Sequence, residues 1–231
     1  MTAPHESPAE AAVAVPSSAA PAPAAAGSGS FRVVREIVET LLLAALIFFL
    51  VRLVVLNFRV DGESMLPNLD DGQMLLVNRN AYEFLDWQGQ RLYPFDPPER
   101  GDIVVFNPPT NSDKPYIKRI IGLPGDEITF DNRNNRVLVN GEPLEEDYIA
   151  YQTNCRPRND DYCDVVVQPD HVFVLGDHRT NSSDSRVFGE VPMENIIGKA
   201  WFSYWPANDI GFVPHESYDD IPEPVAASPT P

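Results

Sequence analysis

The feature that most constrains this chain is an apolar stretch near its N-terminus. Residues 37–56 are mostly aliphatic or aromatic, and about 20 such residues are enough to cross a bilayer core as a helix. The charged positions Glu39 and Arg52 lie near its two ends, where long side chains can reach the headgroup region. We predict a single transmembrane anchor over residues 31–57. A cleaved signal peptide, which lacks an Ala-x-Ala-type site here, and a buried amphipathic helix are the alternatives.

Charge and composition on either side of this stretch predict the topology. Arg32 and Arg35 precede it, so the positive-inside rule places the N-terminus in the cytoplasm, although Arg59 lies on the far side. Residues 1–30 are dominated by Ala, Pro, Ser and Glu and are predicted to form a disordered cytoplasmic tail. The chain beyond the anchor is then extracytoplasmic, with a folded domain over residues 58–215 and a disordered tail over residues 216–231.

Beyond residue 60 the pattern is that of a β protein. Short runs of branched and aromatic residues alternate with turns rich in Gly, Pro, Asp and Asn, and no long helical period appears. We predict a mainly β fold, with an antiparallel sheet or barrel-like domain behind the single helix. Residues 80–100 show no clear period and are interpreted as an insertion. The predicted strands are 74–77, 103–106, 116–121, 128–130, 137–139, 165–167, 172–175 and 200–205.

Composition argues against nucleic acid as a partner and leaves one question about the cysteines. The 34 acidic residues outnumber the 17 Lys and Arg, giving a net charge of -17, whereas phosphate binding needs a basic surface. Cys155 and Cys163 are the two cysteines of the chain, and two thiols with no histidine beside them do not make a four-ligand zinc site. They either form a disulfide in an oxidising compartment or remain free. We expect neither a metal nor a cofactor.

Ser64 is the first candidate for chemistry. Gly62 lets the backbone bend and exposes its amide, and Pro67 restricts the residue before it to an extended shape. A serine on such a stiff loop presents its hydroxyl, and its own N–H suits a developing oxyanion. An ordinary turn serine fits the same residues.

Lys118 is the second candidate, because it lies inside a predicted strand. Side chains two apart share a face of a strand, so Lys118 lies between Tyr116 and Ile120. Burial there would lower the pKa of the amine and create a general base, the partner that a serine nucleophile requires. The alternative is a lysine whose stem covers apolar surface while its amine reaches water.

The stretch 176–186, Gly-Asp-His-Arg-Thr-Asn-Ser-Ser-Asp-Ser-Arg, directly follows a predicted strand. It is either a surface loop or a source of a hydroxyl to hold the lysine and of an Asp–Arg pair to stiffen the loop. His178 raises a rival mechanism, in which Ser64, His178 and either Asp177 or Asp184 form a triad.

In this order, after one N-terminal anchor, these stretches resemble the bacterial type I signal peptidases, the leader peptidase family of Ser-Lys serine proteases. The resemblance implies a β-rich domain on the outer face of the membrane that removes signal peptides from exported preproteins, cutting after small residues. By position, it implies that Ser64 is the nucleophile and Lys118 the general base. It also implies that Ser182 orients the lysine amine and that Asp184 and Arg186 form a supporting ion pair. The matching segments are 62–67, 100–106, 116–126 and 176–186.

Three positions depart from the family pattern. Asn68 stands where the family often has Thr, and His178 stands where Asn usually follows the Gly-Asp pair. Gly62 stands where some members carry a serine as a second oxyanion donor. The oxyanion hole is therefore expected to rest on the Ser64 amide and another backbone group.

Two rivals come from other functional classes. A self-cleaving Ser-Lys regulator would normally carry a DNA-binding domain, which the acidic, anchored chain argues against. A membrane-tethered extracytoplasmic β domain that only binds partners is the second rival. Four aromatic residues near the end of the domain either seat it on the lipid interface or belong to the sheet: Trp201, Phe202, Tyr204 and Trp205.

Overall fold

The structure is a computed structural model that describes residues 28–83, 85–87, 90–93, 97–110, 112–155 and 162–224. Residues 1–27 and 225–231, which make up most of the two predicted tails, lie outside the described residues. Three groups of residues within the chain, at 88–89, 94–96 and 156–161, and the single residues 84 and 111 also lie outside them.

Helix α1 spans Ser28–Val54. Its part from Phe31 to Val54 is long and apolar enough to cross a membrane, and no other helix in the described part of the chain meets that criterion. The predicted anchor region continued to residue 57, whereas the helix ends at Val54 and strand β1 (Val55–Arg59) follows at once. The switch from helix to strand after Val54 is set by strand pairing, because β1 pairs with β2 (Met74–Asn78) along its whole length.

The described strands form one large sheet, one small sheet and a hairpin. The remaining strands are β3 Leu85–Trp87, β4 Gln90–Leu92, β5 Ile103–Phe106, β6 Tyr116–Gly122, β7 Glu127–Asp131, β8 Arg136–Val139, β9 Glu142–Pro143, β10 Asp164–Val166, β11 His171–Leu175, β12 Val191–Pro192, β13 Ile196–Trp205 and β14 Gly211–Phe212. A four-residue helix, α2, spans Ser185–Phe188. The mainly β class predicted from the sequence is confirmed, and the insertion at 80–100 contains the β3–β4 hairpin.

The large sheet runs β1-β2-β13-β5-β6-β11-β12, with β14 beside β13, and its pairings are antiparallel. It curls into a half-barrel. The small sheet runs β10-β7-β8-β9. Strand β6 lies near the middle of the large sheet between β5 and β11, so its side chains face packed surroundings rather than a sheet edge.

Alternation along the strands divides the core into three clusters. Val104, Phe106 and Ile120 pack on one face of the large sheet, and Ile103 and Val105 pack on the other. The second face also buries Met65, which follows Ser64. The core itself therefore anchors residues 62–69, which we call the serine loop. The third cluster joins β6 and β11 to the small sheet.

The segment after residue 215 also packs on the fold. Tyr218 and Ile221 contact the third cluster, and the Glu216 N–H donates to the Gly101 carbonyl at 3.3 Å. Gly101 has φ +95°, and a Cβ there would clash with the Glu216 backbone, so this approach requires glycine. The predicted domain ended at residue 215, and these contacts extend the packed segment to Ile221 because two apolar residues of the tail find a core to join.

Candidate active site

The serine loop is a tight turn anchored by a buried side chain. Gly62 has φ +95°, a region that side-chain-bearing residues rarely adopt, and it starts the turn. The Leu66 N–H donates to the Glu63 carbonyl at 3.2 Å and the Leu69 N–H donates to the Met65 carbonyl at 3.0 Å. Because Met65 is fully buried, the neighbouring Ser64 is held at the surface of the core with its hydroxyl directed outward from the turn.

Lys118 reaches this hydroxyl from strand β6. Its Nζ lies 2.6 Å from Ser64 Oγ and donates to the Ile117 carbonyl at 2.7 Å. The side chain is only 4% exposed, and its Nζ lies 5.5 Å from the centroid of the Tyr116 ring. Burial lowers the pKa of Lys118 from 10.5 to about 8, while the charges of Asp184 and Asp177 oppose that shift. The lowered pKa leaves roughly a tenth of the amine neutral at pH 7, far more than an ordinary lysine has, and this neutral form can accept a proton.

The loop 176–186 lies against this pair and is stiffened by an ion pair. Arg186 contacts Asp184 through two nitrogens, Nε to Oδ1 at 2.8 Å and Nη2 to Oδ2 at 2.7 Å. The Asp184 carboxylate also accepts the Gly176 N–H at 3.0 Å, which closes the loop on itself. The buried carboxylate of Asp184 thus fixes both ends of the loop and contributes the negative charge that acts on Lys118.

A cavity of about 260 Å³ opens beside the two groups. Its polar wall is formed by Arg59, Asp61, Ser64, Lys118 and Ser183. The apolar wall consists of Phe58, Val60, Leu75, Val105, Pro115, Tyr116 and Ile117. A serine hydroxyl, a lysine amine and a small recess with both polar and apolar walls therefore share one space, an arrangement that suits acyl transfer to a serine.

Comparison with known proteins then decides the family. The family model described as signal peptidase, peptidase S26, matches residues 34–205. The chain belongs to this family. A signal peptidase I of Leptolyngbya laminosa is 37% identical to it over 184 residues, which cover 76% of this chain and 82% of that protein.

A signal peptidase I of Bacillus caldolyticus is 38% identical over 165 residues, covering 68% of this chain and 82% of that protein. A crystal structure of a signal peptidase I from Enterococcus faecalis V583 covers 45% of this chain and 97% of its own, with 34% identity and a TM-score of 0.37. The chain thus matches about four fifths of the length of the Leptolyngbya laminosa and Bacillus caldolyticus proteins, 82% of each.

Two expected supporting roles, that of Ser182 from the signal peptidase resemblance and that of the Gly62 amide from the turn, do not appear in the geometry. Ser182 Oγ is buried and has no hydrogen-bond partner among the described residues, so it does not hold the Lys118 amine. The amine is held by the Ile117 carbonyl instead. The Gly62 N–H donates to Asp71 Oδ1 at 2.7 Å and is not free to bind an oxyanion. The amide of Ser64 makes no hydrogen bond within the described part of the chain and remains as a donor.

The rival histidine triad does not form. The His178 ring stacks on Tyr151 with 3.7 Å between ring centroids, and its Nδ1 lies 3.1 Å from the Glu63 carbonyl. Its contact with the serine is through the backbone, because the His178 N–H donates to the Ser64 carbonyl at 3.0 Å. His178 therefore positions the serine loop and is not bonded to the hydroxyl.

The sequence interpretation missed a buried ion pair next to Lys118. Arg119 is fully buried and binds Asp177 through two nitrogens, at 2.9 and 2.8 Å. Asn68, four residues after Ser64, donates to the same carboxylate at 2.8 Å and to the Tyr148 carbonyl at 3.0 Å.

 The Arg119–Asp177 pair, together with Asn68, therefore ties the serine loop, β6 and the loop 176–186 together. The sequence did contain a clue to this ion pair. Arg119 shares a strand face with Ile117 and Ile121, and an arginine buried on such a face needs an acidic partner.

A second buried arginine supports the same loop. Arg179 is paired with Glu146 and donates to Thr153 Oγ1 at 2.8 Å and to the Gly176 carbonyl at 3.0 Å. Cys155, two residues after Thr153, forms a disulfide with Cys163. The Asn132 side chain bonds the Cys155 backbone at both its N–H and its carbonyl, each at 2.9 Å. The disulfide region thus borders the loop that carries Asp184.

Among the described residues, no group of three or more His, Cys, Asp or Glu side chains is placed to hold a metal ion. The polar side chains that share the cavity with Ser64 are Arg59, Asp61, Lys118 and Ser183. Of these, Lys118 contacts the serine hydroxyl, and the two groups can perform proton transfer and nucleophilic attack.

Proposed function

We propose that this chain removes N-terminal signal peptides from exported preproteins through a Ser64–Lys118 dyad. The observation that carries the proposal is the 2.6 Å separation of Lys118 Nζ and Ser64 Oγ, with the lysine pKa lowered to about 8. Membership of the signal peptidase family, and relatives named signal peptidase I, support the substrate class.

The reaction is amide hydrolysis through an acyl-enzyme. Neutral Lys118 takes the Ser64 proton as Oγ attacks the scissile carbonyl carbon, and the Ser64 N–H donates to the oxyanion. The resulting ammonium protonates the leaving amine, so the C–N bond breaks and an ester remains. Neutral Lys118 then deprotonates a water that attacks the ester, and the proton returns to Ser64. Asp184 and Asp177 stabilise the ammonium that forms in each half-reaction.

The first prediction concerns pH. Because Lys118 acts in its neutral form, kcat/KM of the wild-type chain should rise with pH and level off above a midpoint of about 8. Single-turnover cleavage of a preprotein between pH 6 and 10 measures this midpoint. A profile that is flat across this range, or that falls with pH, contradicts Lys118 as the base.

The second prediction concerns substrate size. An extended substrate along the strands presents alternate side chains to the enzyme, so the residues one and three before the cut face the cavity of about 260 Å³. Changing Ala to Leu at either position should lower kcat/KM by about 10²-fold. The same change two residues before the cut is the matched control and should have little effect. Ser64→Ala should cleave none of these preproteins, and cleavage by that variant would refute the proposed function.

The third prediction concerns location. We infer that α1 anchors the chain with its N-terminus in the cytoplasm, supported by Arg32 and Arg35, and that the β-rich part is extracytoplasmic. Trp201 and Trp205 are 50% and 59% exposed, in keeping with a role at the lipid interface, whereas Phe202 and Tyr204 are half-buried. External protease on spheroplasts should digest the β-rich part and spare an N-terminal tag. Protection of residues 60–215 in sealed cells would overturn this topology.

A further inference from the structure

A second cavity lies beside the segment that follows Ser64. Its volume is about 220 Å³, and its walls come from residues 67–73 on one side and from β13 and the chain after it on the other. Five of the residues that line it carry side-chain oxygens: Asn68, Asp70, Gln73, Ser203 and Asp209. None of the described residues that line it is Lys, Arg or His.

Two of these oxygens are buried without a partner. Gln73 Oε1 and Ser203 Oγ make no hydrogen bond to any described residue, and each side chain is only 5% exposed. The Gln73 backbone is fixed, because its carbonyl accepts the Val60 N–H at 2.8 Å and its N–H donates to the Asp70 carbonyl at 3.3 Å. Buried polar atoms of folded proteins are nearly always satisfied by protein, water or an ion. Two such atoms lining one cavity, one from each side, therefore indicate a bound species.

The charges and donors around the cavity decide what that species is. Asp70 and Asp209 supply carboxylates. Both hydrogens of the Asn68 amide are used by Tyr148 and Asp177, so the polar atom that Asn68 has left is an acceptor oxygen. Arg119 donates to the carbonyl of Pro214, one of the residues that line the cavity, but its charge is already paired with Asp177. The cavity thus offers acceptors and negative charge, which match a cation.

We propose that this cavity is a calcium-class cation site, with Asp70, Gln73, Ser203 and Asp209 as ligands and water completing the shell. Calcium takes about six to eight oxygens in flexible geometry, whereas magnesium demands a near-ideal octahedron and dehydrates reluctantly. Two carboxylates beside neutral oxygens correspond to weak binding, with a Kd of roughly 10⁻⁴–10⁻³ M. The site joins the segment after the nucleophile to β13 and does not rest on the proposed function.

Thermal unfolding of the full chain in detergent tests the site without reference to activity. After treatment with a chelator, CaCl₂ at constant ionic strength should raise Tm along a saturable curve, by about 5 °C or more at a hundredfold excess over Kd. MgCl₂ should give a smaller rise. Absence of a saturable rise up to about tenfold above the expected Kd would overturn the proposal and leave ordered water as the occupant.

Variants separate the site from general binding to an acidic surface. Gln73→Leu and Asp209→Asn should each abolish the calcium-dependent rise, and Ser203→Ala, the mildest change, should weaken it by several-fold in Kd. Asp147→Asn is the matched control, because this exposed carboxylate lines a different cavity, and it should respond as wild type does. If the site variants respond like the control, calcium acts only by screening the net charge of -17, and the proposal fails.

Discussion

Replacing Lys118 by methionine should lower kcat/KM by about 10⁴-fold or more, because the proposed general base is lost and no other described base contacts the serine hydroxyl. Lys118→Arg should be equally inactive at every pH, since a guanidinium stays charged. His178→Ala should keep the activity within about tenfold of wild type, because its ring stacks on Tyr151 away from Oγ. Single-turnover cleavage of a preprotein measures all three. If Lys118→Met turns over while His178→Ala does not, the base is wrongly assigned.

The same Lys118→Met change should raise the free energy of unfolding at pH 7. The pKa of the buried amine is lowered from 10.5 to about 8, so below pH 8 the folded chain carries a charge that burial disfavours. That penalty is fully present below pH 8, shrinks as pH rises from 8 to 10.5, and is absent above that range. Methionine should stabilise the chain by about 2–3 kcal/mol at pH 7 and by much less at pH 10.5.

Denaturant unfolding at the two pH values measures this difference. Lys114→Met is the matched control, since that amine is exposed and its removal relieves no burial. A variant that is both inactive and more stable would show that the active site stores unfavourable desolvation. Equal stability of wild type and Lys118→Met at pH 7 would contradict the burial that lowers the lysine pKa.

The strands were predictable where alternation and turn residues agree. Ile103–Phe106 and Tyr116–Ile121 each follow Gly- or Pro-containing turns, and the structure places strands there. Strand β1 was missed because Val55–Arg59 continues the apolar run of the helix without a Gly or Pro between them. Only pairing with β2, which is about twenty residues away in sequence, fixes that boundary, and a local pattern does not contain it.

Part of the site was predictable for the same reason and part was not. The placement of Lys118 between Tyr116 and Ile120 follows from strand period, and its burial follows from the central position of β6. The surroundings of the unpartnered Ser182 hydroxyl and of the Gly62 amide depend on how loops meet in the fold. The Asp71 carboxylate that accepts the Gly62 N–H lies nine residues away, across a turn whose geometry no periodicity specifies.

The second large effect is expected at the buried pair that no periodicity revealed. Asp177→Asn removes the charge opposite Arg119, which is fully buried and keeps two backbone carbonyls, the Tyr148 ring and the new amide as neutral partners. Leaving a buried charge without its counterion should cost about 3–5 kcal/mol in the free energy of unfolding. Because Asn68 donates to the same carboxylate, the serine loop should also lose order, and kcat should fall while Lys118 remains in place.

A double-mutant cycle tests whether charge burial is the cause. Arg119→Met together with Asp177→Asn should be more stable than Asp177→Asn alone, since the uncompensated charge is gone. Asp61→Asn is the control, because its ion pair with Lys114, at 2.7 Å, is as short as the Arg119–Asp177 pair but lies in solvent. That change should leave the unfolding midpoint unaltered. If Asp177→Asn were as harmless as Asp61→Asn, or if the two core changes were simply additive, the buried pair would not be what holds Ser64, β6 and the loop 176–186 together.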